Sequence, residues 1–252
     1  MDALLDAAIA LQHARHIAVF TGAGISAESG IPTFRDPLTG LWARHDPQRL
    51  ETAKAFRENL ALVWGWYLWR RQHALRALPN PAHRAITNLA ASGRRVTVIT
   101  QNIDDLHERA GSRDVIHLHG SLMTPKCFAC HRPAELIEGA QAASQEGVLI
   151  EPPRCQRCNG RLRPGVVWFG EDLPAGTWKA AAHAARQCDV LLSIGTSGVV
   201  MPAASLPDLA LAAGAVVIHI NLCDVSMDQP KELMLIGPAG RILPPLIEMV
   251  MV

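Results

Sequence analysis

A chain of 252 residues is long enough for one large domain with a substantial core, or for a main domain that carries a small insert. Apolar residues make up 49% of the chain and charged residues 19%, and the formal net charge is +1. This balance disfavours a polyanion-binding surface. No apolar run approaches the roughly 18 residues that a membrane span needs. The first residues include acidic side chains where a signal peptide would have basic ones. We therefore expect a cytoplasmic protein with neither a nucleic acid nor a membrane as partner.

Four short apolar runs, rich in β-branched residues, predict buried strands. In chain order they are residues 17–20, 96–99, 190–194 and 216–220. An amphipathic helix at 3–11 and alanine-rich helical stretches at 82–91 and 178–187 accompany them. This alternation predicts an α/β fold with a Rossmann-like parallel sheet. Each run leads into polar or glycine residues, so we expect the four strand ends to converge on one ligand site.

Two segments interrupt the alternation. Residues 37–81 contain a long helical stretch at 53–78 that is crowded with aromatic side chains, and residues 121–164 contain two Cys-x-x-Cys pairs. We predict that these segments are a helical insert and a zinc-binding insert, which together form a smaller second domain. The segments 1–36, 82–120 and 165–252 would then form the Rossmann-like main domain, with the ligand site at its strand ends.

The cysteine pairs, Cys127 with Cys130 and Cys155 with Cys158, predict a structural zinc site. Four thiolates satisfy tetrahedral Zn²⁺ and leave no position open for a reacting water. Zinc ribbons can also bind nucleic acid, and the basic residues nearby keep that alternative open, although the net charge speaks against it. Cys188 and Cys223 each lie beside an apolar run and are predicted to be buried, inert thiols.

The stretch Gly22-Ala23-Gly24-Ile25-Ser26-Ala27 has the G-x-G-x-x-(G/A) pattern of a dinucleotide-binding turn. Glycines there let the backbone approach a pyrophosphate, whose charge is stabilised by free amides at a helix start. The pattern alone also fits a tight turn without a ligand. An acidic residue that binds the NAD ribose should end a strand roughly 20 residues later, yet Asp46 follows no strand. An ordinary dehydrogenase is therefore disfavoured.

Polar residues also follow the second predicted strand, in the run QNIDDLH at 101–107. Helix capping by Asn102 or Asp104 is one explanation of such a run. Further on, His117 and His119 lie on one face of an extended segment. A lone histidine is usually structural, but His119 ends a strand before a glycine and is a candidate general base, because its pKa is near neutrality.

Seven segments, in order and across nearly the whole chain, resemble the sirtuin family. They are GAGISAESGIPTFRD at 22–36, TQNIDDLHERAG at 100–111, HLHG at 117–120, the four cysteines, GVVWFGE at 165–171, GTSG at 195–198 and IN at 220–221. The resemblance implies that residues 1–252 form one catalytic region, an NAD-dependent protein lysine deacylase with its substrate between the two domains. In the family the acyl oxygen attacks C1′ of the nicotinamide ribose, and the products are nicotinamide, O-acyl-ADP-ribose and free lysine.

The resemblance also implies roles for individual residues. His119 matches the general base, and Asn102 and Asp104 match positions that order the ribose and a water. The residues that match the NAD site are Gly22, Ala23, Gly24, Glu28, Phe34, Arg35, Gln101, Asn102, Ile103, Asp104, Gly195, Thr196, Ser197, Asn221 and Ala239. The segment Val166, Val167, Trp168 and Phe169 resembles the strand that pairs with an extended peptide. Gly165 departs from the family pattern, since many relatives carry a bulkier residue there.

The implied partners are NAD, which is consumed, one structural zinc ion, and acylated lysine in proteins or peptides. We expect the chain to act as a monomer. Two other functions fit the same NAD site: a mono-ADP-ribosyltransferase, and a non-enzymatic NAD-binding module. The second would be expected to lack the base and the water-ordering residues, which are present here.

Two residues, Tyr67 and Arg70, bear on which acyl group is removed. Their i, i+3 spacing places both side chains on one helix face. Spacing alone favours a core tyrosine and a solvated arginine. The pair nevertheless falls where one sirtuin class carries a Tyr-x-x-Arg pair that recognises the carboxylate of succinyl- or malonyl-lysine. A guanidinium suits a carboxylate, which it can bind through two hydrogen bonds. We predict desuccinylase or demalonylase activity with deacetylation retained.

Overall fold

Helices and strands alternate along most of the chain. The computed structural model describes residues 3–32, 46–136 and 148–251. The helices are α1 Ala3–His13, α2 Ala23–Ala27, α3 Pro47–Leu50, α4 Ala53–Glu58, α5 Leu60–Arg76, α6 Pro81–Ala91, α7 Leu106–Ala110, α8 Ala175–Gln187, α9 Leu206–Ala212 and α10 Ala239–Met251. The strands are β1 His16–Thr21, β2 Arg95–Thr100, β3 Val115–His117, β4 Gly120–Cys127, β5 Leu162–Val166, β6 Val190–Ile194, β7 Val216–Asn221 and β8 Glu232–Ile236. Within the described ranges, no helix has the length and apolar character required to cross a membrane.

Six of the strands form one parallel sheet in the order β3-β2-β1-β6-β7-β8. The predicted α/β fold with a Rossmann-like sheet is confirmed. All four strands expected from apolar runs are present. β3 lies in the segment that was expected to be extended around His117, but it ends at His117 and not at His119. β8 was not predicted, because its apolar run at 233–236 contains one β-branched residue and does not distinguish a strand from a helix.

The core lies on both faces of this sheet. Successive residues of a strand point to opposite faces, and in β1 the side chains of Ile17 and Val19 join one apolar cluster while Ala18 and Phe20 join the other. Residues of α1, α6 and α10 cover the first face, and residues of α8 and α9 cover the second. Full burial of an aliphatic side chain contributes about 1.5–3 kcal/mol, so this two-sided burial accounts for the unbroken apolar character of β1.

Strands β4 and β5 form a separate two-stranded antiparallel sheet, with α4 and α5 packed against it. Its apolar core joins side chains of α4, α5, β4 and β5, among them Phe56, Trp64 and Leu122. A side-chain carbon at Gly65 of α5 would lie 2.1 Å from the Val148 carbonyl oxygen, so this glycine allows the helix to contact the segment that leads to β5. The helical segment and the cysteine-bearing segment thus pack together.

The helical stretch expected at 53–78 is two helices rather than one. Asn59 ends α4, and its side-chain oxygen accepts a hydrogen bond from the Leu62 amide, which caps the first turn of α5. Asparagine competes with helical hydrogen bonding in this way, so a polar residue inside the pattern breaks it. The division into a Rossmann-like domain and two inserts remains a prediction; the strands of the parallel sheet all lie in the segments assigned to the former.

Candidate functional site

A crevice is expected where the order of the parallel sheet reverses. The chain adds β2 and β3 on one side of β1, and then β6, β7 and β8 on the other. Ligands of open α/β sheets bind outside the carboxyl ends of the strands at such a point. Two loops meet there, because the Gly22 amide donates to the Ile194 carbonyl (3.0 Å) and the Gly24 amide donates to the Gly195 carbonyl (3.0 Å).

The glycines of this turn have a structural reason that does not involve a ligand. A side-chain carbon at Gly22 would lie 2.7 Å from the Gly195 carbonyl oxygen, and one at Gly24 would lie 2.7 Å from the Gly195 Cα. Both distances are too short for any other residue. Ala23 begins α2 directly after Gly22, so the first turn of a short helix faces the crevice edge. The glycine pattern therefore brings the β1 and β6 loops into contact.

A buried hydrogen-bond network joins this turn to the loop after β2. The Asn102 side-chain amide donates to the Gly22 carbonyl (3.1 Å) and to Ser26 Oγ (3.1 Å). Ser26 Oγ in turn donates to Asp104 Oδ2 (3.0 Å). Burial raises the pKa of Asp104, and hydrogen bonds from the Leu106 amide and Ser26 oppose that rise. The network orients Asn102 and Asp104, and the capping explanation holds in part, since Asp104 accepts from the Leu106 amide near the start of α7.

His119 lies in the turn between β3 and β4, beside this loop, and is half-buried. Its Nδ1 is 3.0 Å from the carbonyl oxygen of Gln101. A carbonyl oxygen can only accept, so Nδ1 carries the proton and Nε2 of the neutral ring has the free lone pair. Burial lowers the pKa of His119, although the Gln101 hydrogen bond and the charge of Glu51 both act in the opposite sense. The ring is therefore a neutral, oriented base at physiological pH.

His117, two residues earlier, is held differently. Its Nε2 lies 2.6 Å from a carboxylate oxygen of Glu108, and its Nδ1 lies 3.2 Å from the Asn102 carbonyl. Burial alone would lower the pKa of His117, but the hydrogen bond and charge of Glu108, with help from Asn102 and Asp104, raise it. Both ring nitrogens have partners, so His117 fits a structural role and His119 fits a catalytic one.

Further residues of the predicted NAD site lie along the same edge. Gly195 has a left-handed backbone (φ +60°), and the Asn221 side chain donates to the Thr196 carbonyl at 2.7 Å, which places Ser197 in the turn that follows β6. The Glu28 carboxylate accepts from the Gly240 amide (2.8 Å), beside Ala239 at the start of α10.

The Gln101 amide donates to the Thr21 carbonyl, and the Ile103 carbonyl accepts from the Leu122 amide, so the loop after β2 is fixed at both ends. Phe34 and Arg35 lie outside the described residues.

The four paired cysteines converge on one point, as predicted for zinc. Their sulfur atoms all lie within 4.8 Å of one another, with Cys127 and Cys158 at 3.4 Å and Cys130 and Cys155 at 3.9 Å. A tetrahedral zinc with bonds of about 2.3 Å requires sulfur separations near 3.8 Å, whereas a disulfide requires about 2.05 Å. The donor set therefore fits one structural zinc ion with four thiolate ligands.

Tyr67 and Arg70 lie in the wall of a small pocket between α5 and the two-stranded sheet. The Tyr67 hydroxyl donates to the Leu122 carbonyl (2.8 Å), and burial raises the pKa of the phenol far above its usual range. The Arg70 guanidinium donates to the carboxylate of Glu51, which also lines the pocket. Spacing alone favoured a solvated Arg70, whereas the side chain is largely buried in an ion pair. Leu122, Val166 and Trp168 supply apolar walls.

Comparison with known proteins assigns the chain to a family. The model of the Sir2 family matches residues 22–202, well over half of the chain. The chain belongs to the Sir2 family. An "NAD-dependent protein deacylase" of Pseudomonas putida is 65% identical over 248 residues, which are 98% of this chain and 95% of the relative. A protein of the same name from Methylococcus capsulatus is 54% identical over 94% of this chain and 93% of the relative.

Solved structures of Sir2 proteins superpose closely on this one. A Sir2 homologue in complex with NAD has a TM-score of 0.87 and 40% identity, covering 98% of this chain and 93% of the other. A Sir2 protein bound to a myristoylated histone peptide has a TM-score of 0.77 and 37% identity, covering 99% and 96%. The predicted resemblance to sirtuins is thereby confirmed.

In this Sir2 protein the segment from Val166 to Phe169 is already well bonded. The amide of Val167 donates to the His119 carbonyl (2.8 Å), that of Trp168 to a Glu171 carboxylate oxygen (3.0 Å), and that of Phe169 to the Glu51 carbonyl (2.9 Å). An extended peptide would therefore have to pair through other backbone groups of this segment. The same bonds tie the segment to the candidate base and to the pocket.

The departure at Gly165 has a local cause. The pairing of β4 with β5 changes register between Ser121 and Lys126, so extra residues of β4 bulge towards β5. A side-chain carbon at Gly165 would lie 1.7 Å from the Thr124 carbonyl oxygen. The bulge thus excludes any side chain at this position.

Some relevant residues were not singled out in the sequence. Ser26 lies within the glycine-turn motif, but only the fold places its hydroxyl between Asn102 and Asp104. Glu51 has no motif around it. The prediction for Cys188 is consistent with a buried thiol whose pKa burial raises to about 11. The prediction for Cys223 is wrong: β7 ends at Asn221, so this cysteine lies in the loop beyond the strand and is exposed.

Proposed function

We propose that this chain is an NAD-dependent protein lysine deacylase that transfers an acyl group from lysine to the ADP-ribose part of NAD. The observation that carries the proposal is the placement of His119, a neutral base oriented by the Gln101 carbonyl at the carboxyl edge of the sheet. Relatives named as NAD-dependent protein deacylases support it, as do Sir2 structures with NAD and with acylated peptide.

His119 accepts the proton of a ribose hydroxyl through Nε2. Once deprotonated, the ribose 2′-oxygen attacks the acyl carbon after nicotinamide has left and the acyl oxygen has bonded to C1′ of the ribose. The bond between the acyl carbon and the lysine nitrogen then breaks, and one water molecule adds to the acyl carbon and releases the C1′ oxygen as a hydroxyl. The products are nicotinamide, O-acyl-ADP-ribose and free lysine. Because the leaving nicotinamide exposes a reactive carbon, the residues around it must exclude stray water. The buried network of Asn102, Ser26 and Asp104 is suited to that task, since it holds polar groups in fixed positions below the Gly22 turn.

NAD occupies the crevice between the β1 and β6 loops in this proposal. Gly22, Ala23 and Gly24 approach the phosphates, and Gln101, Asn102, Ile103 and Asp104 contact the ribose and nicotinamide. Gly195, Thr196, Ser197, Asn221 and Ala239 contact the adenosine, and Glu28 supports the turn through the start of α10. Phe34 and Arg35 belong to the site on sequence grounds alone. Zinc takes no part in the reaction, because four protein thiolates leave it no open position.

The acylated lysine of a protein or peptide enters beside the segment 166–169, and its acyl group is directed towards Tyr67 and Arg70, whose narrow pocket must widen to admit it. The pocket accepts acetyl groups and, through Arg70, acyl groups that end in a carboxylate, such as succinyl and malonyl. The guanidinium supplies the charged donor for that carboxylate. The buried Tyr67 phenol stays protonated, and its one O–H donates to the Leu122 carbonyl, so it can donate to a substrate carboxylate only by giving up that bond.

The acyl preference is tested by comparing acetyl- and succinyl-peptide turnover in the wild type and in Arg70→Met. We expect the loss of kcat/KM on the succinyl peptide to exceed the loss on the acetyl peptide by about tenfold or more, because a charged hydrogen bond is removed. Arg76→Met, on the exposed end of the same helix, is the matched control. Equal losses on both substrates in Arg70→Met would contradict the proposed role.

The reaction class is tested by mass spectrometry of the products formed from NAD and an acetyl-lysine peptide. O-acyl-ADP-ribose identifies deacylation, whereas an ADP-ribosylated acceptor identifies the transferase alternative. Unchanged NAD would leave only a binding module. A monomeric state, the absence of a nucleic-acid partner and a cytoplasmic location remain predictions.

A further inference from the structure

Glu51 is a buried carboxylate at the acyl pocket that no motif identifies. It lies between α3 and α4, and only 6% of the residue is exposed. Its Oε1 accepts hydrogen bonds from the Arg70 guanidinium and from the Trp66 indole nitrogen (3.3 Å). Its backbone carbonyl accepts from the Phe169 amide, so the residue is fixed to the segment beside which the acyl-lysine is proposed to enter.

The pocket therefore contains one cation and one anion, and these are paired with each other. Among the described residues that line it, Arg70 and Glu51 are the charged ones, while the rest are apolar, aromatic or proline. Arg70 and Glu51 are 18% and 8% exposed at their side chains, so solvent screens the pair weakly. The guanidinium that would recognise an acidic acyl group already has a carboxylate partner supplied by the protein.

We propose that Glu51 tunes acyl selectivity in this enzyme by acting as the internal counter-ion of Arg70, which lowers, without abolishing, the turnover of acyl groups that end in a carboxylate. The inference rests on the proposed deacylase function and refines the substrate class of its pocket. A succinyl carboxylate must either displace Glu51 from Arg70 or share one guanidinium with it. The first leaves a buried carboxylate without its partner, and the second brings two like charges together at low dielectric. A neutral acyl group incurs neither cost.

The position of Glu51 also connects the pocket to the candidate base. Its charge acts to raise the pKa of His119, so the carboxylate lies close enough to affect the ring. Phe169 donates to the carbonyl of Glu51, and Val167 donates to the carbonyl of His119, so both residues are fixed to the same short segment. The charge of Glu51 therefore acts on His119 as well as on an acyl group in the pocket.

The experiment uses three peptides of one sequence, carrying acetyl-lysine, succinyl-lysine and the neutral terminal amide of succinyl-lysine. The amide has nearly the size and shape of the succinyl group and lacks its charge. We measure kcat/KM for each peptide with saturating NAD, in the wild type and in Glu51→Gln. The glutamine keeps the volume and can accept the Trp66 hydrogen bond, so the pocket should keep its shape.

We expect Glu51→Gln to raise the succinyl-to-amide ratio of kcat/KM at least about tenfold, because the buried like charge is gone. In the double variant Glu51→Gln with Arg70→Met the rise should disappear, since it depends on the charge of the Arg70 guanidinium. Glu58→Gln, which removes an exposed carboxylate of α4, is the matched control and should leave the ratio at its wild-type value.

An unchanged ratio in Glu51→Gln, with O-acyl-ADP-ribose still formed from the acetyl peptide, would overturn the inference and leave the proposed function standing. A wild type that forms no O-acyl-ADP-ribose from any of the peptides would overturn both. A wild type that turns over the succinyl peptide at least tenfold better than its amide would also overturn the inference, and this comparison needs no variant that must fold.

Discussion

The carboxyl edge of the parallel sheet and the acyl pocket are built by different means. At the edge, Asn102, Asp104 and His119 are held by short hydrogen bonds to backbone groups and to Ser26, so their orientation is set before any substrate arrives. In the pocket, Arg70 is held by another side chain, Glu51, and a substrate carboxylate would compete for the same guanidinium. In the proposed mechanism the chemistry therefore depends on residues held by the backbone, and selectivity depends on an ion pair that a substrate can exchange.

This difference predicts how substitutions in the two regions should behave. A change at the edge should affect every acyl group alike, because the base and the NAD site are common to all substrates. A change in the pocket should separate one acyl class from another. The Arg70 and Glu51 variants described above test the pocket. The following three predictions test the carboxyl edge of the sheet, the zinc site, and the effect of Glu51 on the pKa of His119.

The largest effect is expected from His119→Ala. Loss of a general base lowers rates by about 10²–10⁴-fold, and we expect a fall in kcat of this size on acetyl and succinyl peptides equally. The melting temperature should stay near the wild-type value, because the half-buried ring is bonded to one backbone carbonyl. His13→Ala, an exposed histidine of α1, is the control. A fall in kcat on only one of the two peptides, or a loss of folding, would contradict the proposed role of His119 as a base common to all substrates.

A smaller effect on chemistry but a large one on stability is expected from loss of the zinc site. Cys158→Ser removes one of four ligands, and loss of a structural metal costs about 4 kcal/mol or more of unfolding free energy. The expected result is a lowered melting temperature and a zinc content below one ion per chain, measured by calorimetry and metal analysis. Cys223→Ser, an exposed cysteine outside the cluster, should match the wild type. Full stability in Cys158→Ser without zinc would show that the two-stranded sheet does not need the metal.

The smallest effect concerns pH. Burial lowers the pKa of His119, so the base loses its proton below the pH at which free histidine does, and the acid limb of kcat/KM should lie below pH 6.5. Glu51→Gln removes a charge that acts to raise this pKa, and the limb should therefore move further to the acid side. The pH profile of acetyl-peptide turnover measures both. A limb that moves to higher pH in Glu51→Gln would mean that Glu51 does not stabilise the imidazolium.

The sequence by itself determined the sheet and most of the edge. Apolar runs on both faces of β1, β2, β6 and β7 predict covered parallel strands, because a strand buried on one face only would alternate. The residues at the ends of those strands, from Gly22 to Asn221, could be predicted as a group, since parallel strands place their carboxyl ends at one edge. The cysteine spacing likewise required no fold, because two Cys-x-x-Cys pairs satisfy one tetrahedral ion.

Only the tertiary structure decided what lies between these parts. The exposure of Cys223 and the bulge opposite Gly165 depend on contacts that local pattern does not encode. The same holds for Glu51, which lies 19 residues before Arg70 in the sequence, with all of α4 and the first part of α5 between them. A charged residue in a sequence is by default solvated, and its burial against one partner depends on the packing of α5 on the two-stranded sheet. Tyr67 and Arg70 could be predicted as a pair, but the ion pair between Arg70 and Glu51 could not.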